Sequence, residues 1–201
     1  MTLKYINNPN FIKWCNWPIT KLSILDKINK TNEDEFEICK KEERLFWNSL
    51  IWEKNNWQWT TKLCEWAVKE LLQELWYKNV KKARTIKSTT LNKSYNPDFE
   101  SDDYVWEVKW SNWTISWTAW EKILGTPLKY SEIPQLYWKP LLIVCLWYQE
   151  YEARNWFAWG NLIETNKRGN DNFIDIINKF NELDIKYIWY TDLLNELENK
   201  K

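Results

Sequence analysis

Three charged residues are spaced so that they could act together: Asp98, which follows Pro97, and the pair Glu107 and Lys109 that flanks Val108. On an extended strand residues two apart share a face, so Glu107 and Lys109 project together while Val108 points the other way. A hairpin of this length brings Asp98 alongside them. Two carboxylates on neighbouring strands make an oxygen-rich pocket suited to Mg²⁺, a hard cation that binds through one or two carboxylates and keeps waters and substrate phosphate as its other ligands. The Val108 carbonyl is a further candidate ligand. Lys109 beside such an ion can orient a water for in-line attack on phosphorus, and its charge stabilises the negative charge that develops. The competing reading is plain surface charge, because Glu-x-Lys is common on any solvated strand. The order of the surrounding elements favours the catalytic one.

Other chemistries are closed off by composition. The chain has no histidine, which removes Ser-His-Asp and Cys-His triads and the usual zinc hydrolases. Its four cysteines, Cys15, Cys39, Cys64 and Cys145, are far apart with no Cys-x-x-Cys, so neither a zinc site nor a disulfide-rich secreted fold is expected. No apolar run reaches the eighteen or more residues of a membrane span, and the N-terminus lacks the apolar block of a secretory signal. The expectation is a cytoplasmic protein without membrane association. Net charge is zero, from 28 basic and 28 acidic residues, so any attraction for nucleic acid must come from local placement. Lys78, Lys81, Lys82, Arg84, Lys87 and Lys93 form a stretch with no acidic residue just before the candidate site. It reads either as a phosphate-binding stripe or as a strand edge kept soluble by lysines.

The elements that must position these residues are legible in part. Leu63, Cys64, Ala67, Val68, Leu71, Leu72 and Leu75 fall at three-four spacing, which predicts an amphipathic helix over 60–76, capped by Thr60 or Thr61. Glu65 on that helix is either an additional catalytic acid or an ordinary exposed glutamate. Strands are predicted over 77–86, 94–99 and 103–110, forming an antiparallel meander. Helical character follows around 118–124 and 131–137. The continuous apolar run at 140–148 predicts a central strand covered on both faces. The tail predicts a helix over 171–183, a strand over 186–190 and a last helix capped by Thr191. The expected fold class is α/β with a mixed central sheet flanked by helices. Residues 1–56, with a charged segment at 29–44, are expected as a helical or irregular segment packed on a core formed by residues 57–201, in one compact domain.

Composition also holds an anomaly. Eighteen tryptophans stand against three glycines, where ordinary usage near 7% would supply about fourteen glycines. Asn16-Trp17, Asn56-Trp57, Asn112-Trp113 and Asn155-Trp156 resemble Asn-Gly turns, and Trp76 follows a helix where a left-handed cap belongs. The pattern is that of a gene in which UGA means glycine, translated with UGA as tryptophan. The alternative is a set of exposed indoles that stack on single-stranded bases.

The element order together with Pro97-Asp98, Glu107 and Lys109 resembles the core of the PD-(D/E)xK nuclease superfamily. Within it the chain looks like type II restriction endonucleases, notably through Trp117-Thr-Ala-Trp-Glu-Lys-Ile-Leu-Gly-Thr-Pro-Leu-Lys-Tyr130 leading into Lys139-Pro-Leu-Leu-Ile-Val-Cys-Leu146. The resemblance covers roughly residues 57–150. It implies a restriction-endonuclease-like core in which Asp98 and Glu107 bind Mg²⁺, one or two ions per site, and Lys109 is the catalytic lysine. Products would carry 5′-phosphate and 3′-hydroxyl ends. Trp110, Trp113, Trp117 and Trp120 depart from the compact loop expected just past the site. Lys122, Lys129 and Tyr130 join Lys81, Lys82, Arg84, Lys87 and Lys93 as candidate DNA contacts, with helix-surface solubility as the alternative for the first three; Arg154 and Arg168 are candidates for guanine contacts. The implied partner is double-stranded DNA cut by a homodimer, since a palindrome needs two sites related by a two-fold axis, with a companion methyltransferase protecting the same sequence. A repair, recombination or junction-resolving nuclease of the same superfamily, and a non-catalytic nucleic-acid-binding module, are the alternatives.

Overall fold

The computed structural model describes residues 5–15, 33–50, 58–113, 119–156 and 171–200. Helix α1 (residues 9–15), α2 (Glu33–Leu50) and α3 (Gln58–Glu74) precede the strands. Strands β1 (Lys81–Lys82), β2 (Ile86–Lys87), β3 (Ser94–Tyr95), β4 (Phe99–Glu100) and β5 (Val105–Ser111) follow. Helices α4 (Ala119–Lys129) and α5 (Ile133–Tyr137) then lead to β6 (Leu141–Trp147), α6 (Tyr148–Trp156), α7 (Asp171–Glu182), β7 (Ile185–Trp189) and α8 (Tyr190–Asn199). The main sheet has the order β1-β4-β5-β6-β7, and β2 and β3 pair as a separate hairpin. The β1–β4 and β4–β5 pairings are antiparallel, whereas β5, β6 and β7 run parallel.

The fold follows from the run in β6. Every residue of Leu141–Trp147 is buried, and alternation sends its side chains into two different cores. Leu142, Val144 and Leu146 pack with Leu63, Val68, Leu71 and Leu72 of α3, Leu193 and Leu194 of α8, and Phe11 and Trp14 of α1. Leu141, Ile143 and Cys145 pack with Tyr130, Ile133, Tyr137, Phe180 and Ile185. The result is a mixed sheet with helices on both faces. Phe46 of α2, Tyr5 and Ile6 belong to the first core, so residues from the N-terminal segment help to build it. Among the described residues no helix is long and apolar enough to cross a membrane.

Four expectations are corrected. Thr60 and Thr61 lie inside α3, which already includes Gln58, so neither is its N-cap. The strand predicted over 77–86 is only β1 and β2, two residues each and in different sheets. Between Lys78 and Lys87 only Val80 and Ala83 are buried, too few apolar anchors to hold a long strand against a sheet. The strand predicted over 94–99 divides into β3 and β4 on either side of Pro97, which has no N–H to give a ladder. Thr191 does not cap α8. The N-cap is Trp189, with no side-chain cap bond, and the Thr191 hydroxyl donates instead to Glu150 of α6.

Candidate active site

The short β4 creates the site. Val105 N–H donates to Pro140 O on the β6 side, so the backbone groups of Trp106, Val108 and Trp110 face the β4 side by alternation. Asp98 N–H donates to Trp106 O at 3.1 Å, but β4 and β5 pair only through Phe99–Trp106 and Glu100–Val105. Past that point the strand edge would lack a partner, and the Asp98 side chain supplies one: its Oδ2 accepts the Val108 N–H at 2.8 Å. The Val108 and Trp110 carbonyls are therefore presented along an edge that Asp98 also lines.

Glu107 and Lys109 project from β5 onto one face, as expected. Lys109 Nζ forms an ion pair with Glu107 Oε1 and also donates to Val108 O at 3.3 Å. Glu107 is 4% exposed, and its Oε2 is buried with no hydrogen-bond partner among the described residues. Burial pushes its carboxyl above the usual range, Lys109 pulls it back and Asp98 pushes it further up. An isolated buried carboxylate oxygen is costly unless something positive compensates it.

Side chains from other elements converge on this pair. Glu65 of α3 is half-buried, and burial followed by the charge of Asp98 raises its carboxyl above the ordinary range. Lys82 of β1 stands 3.9 Å from Asp98 Oδ1. Lys122 of α4 donates to Trp110 O at 3.2 Å, and burial together with the nearby Lys109 lowers its ammonium below the usual lysine range. Tyr130 is buried, with its ring against Tyr95. Its hydroxyl is raised, first by burial, then by the charges of Glu107 and Asp98 and by a side-chain interaction with Glu107, and it accepts a hydrogen bond from Lys129 Nζ at 3.2 Å. Lys129 in turn acts on Glu107. Asp98, Glu107, Lys109 and Glu65 are thus brought into one electrostatic neighbourhood. Lys122, Lys129 and Tyr130 line it from the α4 side, with Tyr130 turned inward rather than toward a surface.

The residues present fit one hard divalent cation. Asp98, Glu107 with its open Oε2 and the Val108 carbonyl supply oxygens along one edge, which is the modest protein share that Mg²⁺ takes. Among the described residues no group of three or more carboxylate or thiol side chains is placed to hold a metal ion.

The basic stripe is divided. Lys81 pairs with Glu100 at 3.2 Å, and Lys81 and Lys82 sit on the edge strand β1 next to the site. The Arg84 guanidinium lies over the Tyr137 ring, 4.9 Å from its centroid. Lys87 and Lys93 belong to the β2–β3 hairpin, where Lys93 lies over the Tyr95 ring. Glu132 fastens this hairpin by accepting from Ser88 Oγ, Thr89 N–H and Thr90 Oγ1. Those donors hold its carboxyl down at about 2.

Arg154, expected to reach bases, is instead buried between Glu150 (3.1 Å) and Asp192 (2.6 Å), an arrangement that removes it from any DNA-facing surface. Arg168 and Trp117 lie outside the described residues, and of Trp120 only the backbone is described. Trp113 is buried, its N–H donating to Glu43 Oε1 at 2.7 Å and its indole N–H to Trp14 O at 3.3 Å. Sequence reasoning missed the approach of Lys82 to Asp98, because a two-residue strand leaves no periodicity to read. It also missed the Glu150–Arg154 pair, whose i, i+4 spacing was the available signal. No family model, curated protein or solved structure matches the chain.

Proposed function

We propose that the protein is a Mg²⁺-dependent endonuclease that hydrolyses phosphodiester bonds in double-stranded DNA at a specific site, in the manner of type II restriction endonucleases and with their core fold. The observation that carries this reading is the buried, unpartnered Glu107 Oε2, set beside Asp98 and an ammonium on the open edge of β5. A divalent cation held by Asp98, Glu107 and Val108 O would neutralise the scissile phosphate and favour a nucleophilic hydroxide. Lys109, on the same face as Glu107, orients the attacking water and holds a phosphate oxygen. Lys122, tethered to Trp110 O, presents a second ammonium toward the same phosphate. Glu65 accepts a proton or a water-mediated bond at the rim. Lys81, Lys82, Arg84, Lys87, Lys93 and Lys129 supply backbone contacts that set the register of the duplex without reading bases.

The reading further implies a homodimer, because two cuts in a palindrome require two such sites related by a two-fold axis, and a companion methyltransferase that protects host DNA at the same sequence. The test is incubation of plasmid with the protein, with Mg²⁺ and then with a chelator. Discrete fragments that vanish on chelation support the reading. Structure-dependent nicking would move the protein to repair or junction resolution, and binding without any cleavage would reduce it to a nucleic-acid-binding module.

A further inference from the structure

Five residues other than glycine adopt a left-handed backbone among the described residues: Trp76 (φ 71°), Asn79 (φ 57°), Trp138 (φ 56°), Trp147 (φ 57°) and Asp184 (φ 57°). Asn and Asp tolerate this region because their short polar side chains bond locally. Tryptophan has no such compensation: its Cβ crowds the following carbonyl and its ring restricts the chain further. Three of the five positions nevertheless carry it.

Two of the three are helix ends whose hydrogen bonds specify what belongs there. At the end of α3, Trp76 N–H donates to Gln73 O at 3.2 Å and Tyr77 N–H to Leu72 O at 3.1 Å. These are the paired 5→2 and 6→1 bonds of a Schellman motif, and they place Trp76 at the position after the C-cap where glycine is the usual residue. At the end of α5, Trp138 is left-handed and Lys139 N–H donates to Pro134 O at 3.2 Å, the same 6→1 closure. Nor is either indole placed there for packing, since Trp76 is 82% and Trp138 91% exposed. Trp147 sits where β6 passes directly into α6, a strand-to-helix junction turned by a single left-handed residue, but its indole is buried and packs edge-on against Phe11 and Trp110, which sets it apart from the two helix ends.

We infer that Trp76 and Trp138 are glycines in the protein as its own cell makes it, encoded by UGA codons that the cell reads as glycine. Eighteen tryptophans against three glycines is the imbalance that such decoding leaves behind when UGA is rendered as tryptophan. The structure also separates the other class. Trp106 is wholly buried in β5, its indole N–H donates to Ser101 Oγ at 3.1 Å, and its ring packs edge-on against Tyr77 and Tyr104. It is a genuine tryptophan with a UGG codon. Conformation narrows the sequence pattern too: Trp113 is not left-handed and Trp156 lies within α6, so neither Asn112-Trp113 nor Asn155-Trp156 is an Asn-Gly turn, while Asn16-Trp17 and Asn56-Trp57 lie outside the described residues.

This inference stands apart from the nuclease reading, and either can fail without the other. Its test is the codons at positions 76, 138 and 106, with peptide mass spectrometry of the protein from its native cell. UGA at 76 and 138 with UGG at 106, and peptides lighter by one indole side chain at each of the first two, is the expected result. UGG at 76 and 138, or peptides that retain both indoles, would overturn it. A second measurement needs no native cell. Trp76→Gly and Trp138→Gly should each raise the folded-to-unfolded ratio about fivefold by relieving the left-handed strain; a lower melting temperature in both would overturn the assignment.

Discussion

Two buried glutamates at the parallel strands have opposite fates. Glu150, at the start of α6 just past β6, has every oxygen engaged: Oε1 accepts from Arg154 Nε and the Thr191 hydroxyl, and Oε2 accepts the Thr191 N–H. Its counter-ion Arg154 is itself held by Asp192. Glu107, on β5, is as deeply buried but keeps Oε2 without a partner, and the groups that act on it are Asp98, Lys109 of β5, Lys129 of α4 and the Tyr130 hydroxyl. A carboxylate closed on all sides ties elements together, and here it fastens the starts of α6 and α8. One held open in a crowd of cations has capacity left for a ligand. Burial alone does not separate the two; the accounting of lone pairs does.

The largest test of that contrast is catalytic. Asp98→Asn keeps an acceptor for the Val108 N–H but loses the charge, so Mg²⁺-dependent cleavage should fall by at least about 10²-fold with an unchanged melting temperature. Glu150→Gln should leave the rate as it was. Equal losses in the two variants, measured as initial cleavage rates at matched folded protein, would erase the distinction.

Next in size is stability. Arg154→Ala strands Glu150 in the interior and should cost about 3 kcal/mol in urea unfolding at pH 8. Burial raises the Glu150 carboxyl to about 7, so at pH 6 it can protonate and the penalty should shrink. A cost that does not change with pH would show that the pair is not the charged closure described.

A smaller effect concerns Glu152, also buried and raised to about 7 by its burial. The sign follows from linkage: the folded state holds its proton to higher pH than the unfolded chain, whose glutamates titrate near the ordinary value. Stability from this group is therefore full at low pH and declines as pH rises through about 4.5–7. Glu152→Gln should flatten that decline and stabilise the protein at pH 8 by about 1 kcal/mol. An unchanged pH profile of urea unfolding would count against it.

The smallest expected effect lies outside both clusters. Lys87 is exposed on the hairpin, and Lys87→Ala should leave stability within about 0.5 kcal/mol. It should lower the slope of log affinity for DNA against log salt by about 0.9, the loss of one phosphate contact. An unaltered slope would remove Lys87 from the DNA surface.

How much of this was legible beforehand depends on where the signal is carried. The α3 helix, the central strand β6 and the same-face placement of Glu107 and Lys109 are periodic features, and periodicity survives in one dimension. The site's remaining geometry depends on β4 being two residues long, which leaves an edge for Asp98 to complete, and nothing in the local composition at 99–100 marks that length. Lys82 was visible as part of a basic run, yet its approach to Asp98 comes from a pairing between two-residue strands. Arg154 was misjudged because residue type says nothing of burial, whereas its spacing from Glu150 did. The left-handed cap at Trp76 was readable because helix ends demand it locally.

The central claim is that the open carboxylate at β5 is a cation site and the closed one at α6 is not. Calorimetric titration of Mg²⁺ into the wild-type protein, Glu107→Gln and Glu150→Gln tests it directly. Saturable binding in the wild type and in Glu150→Gln, lost in Glu107→Gln while that variant remains folded, is the predicted result. Binding that persists unchanged in Glu107→Gln, or no binding to the folded wild-type protein, would contradict the account.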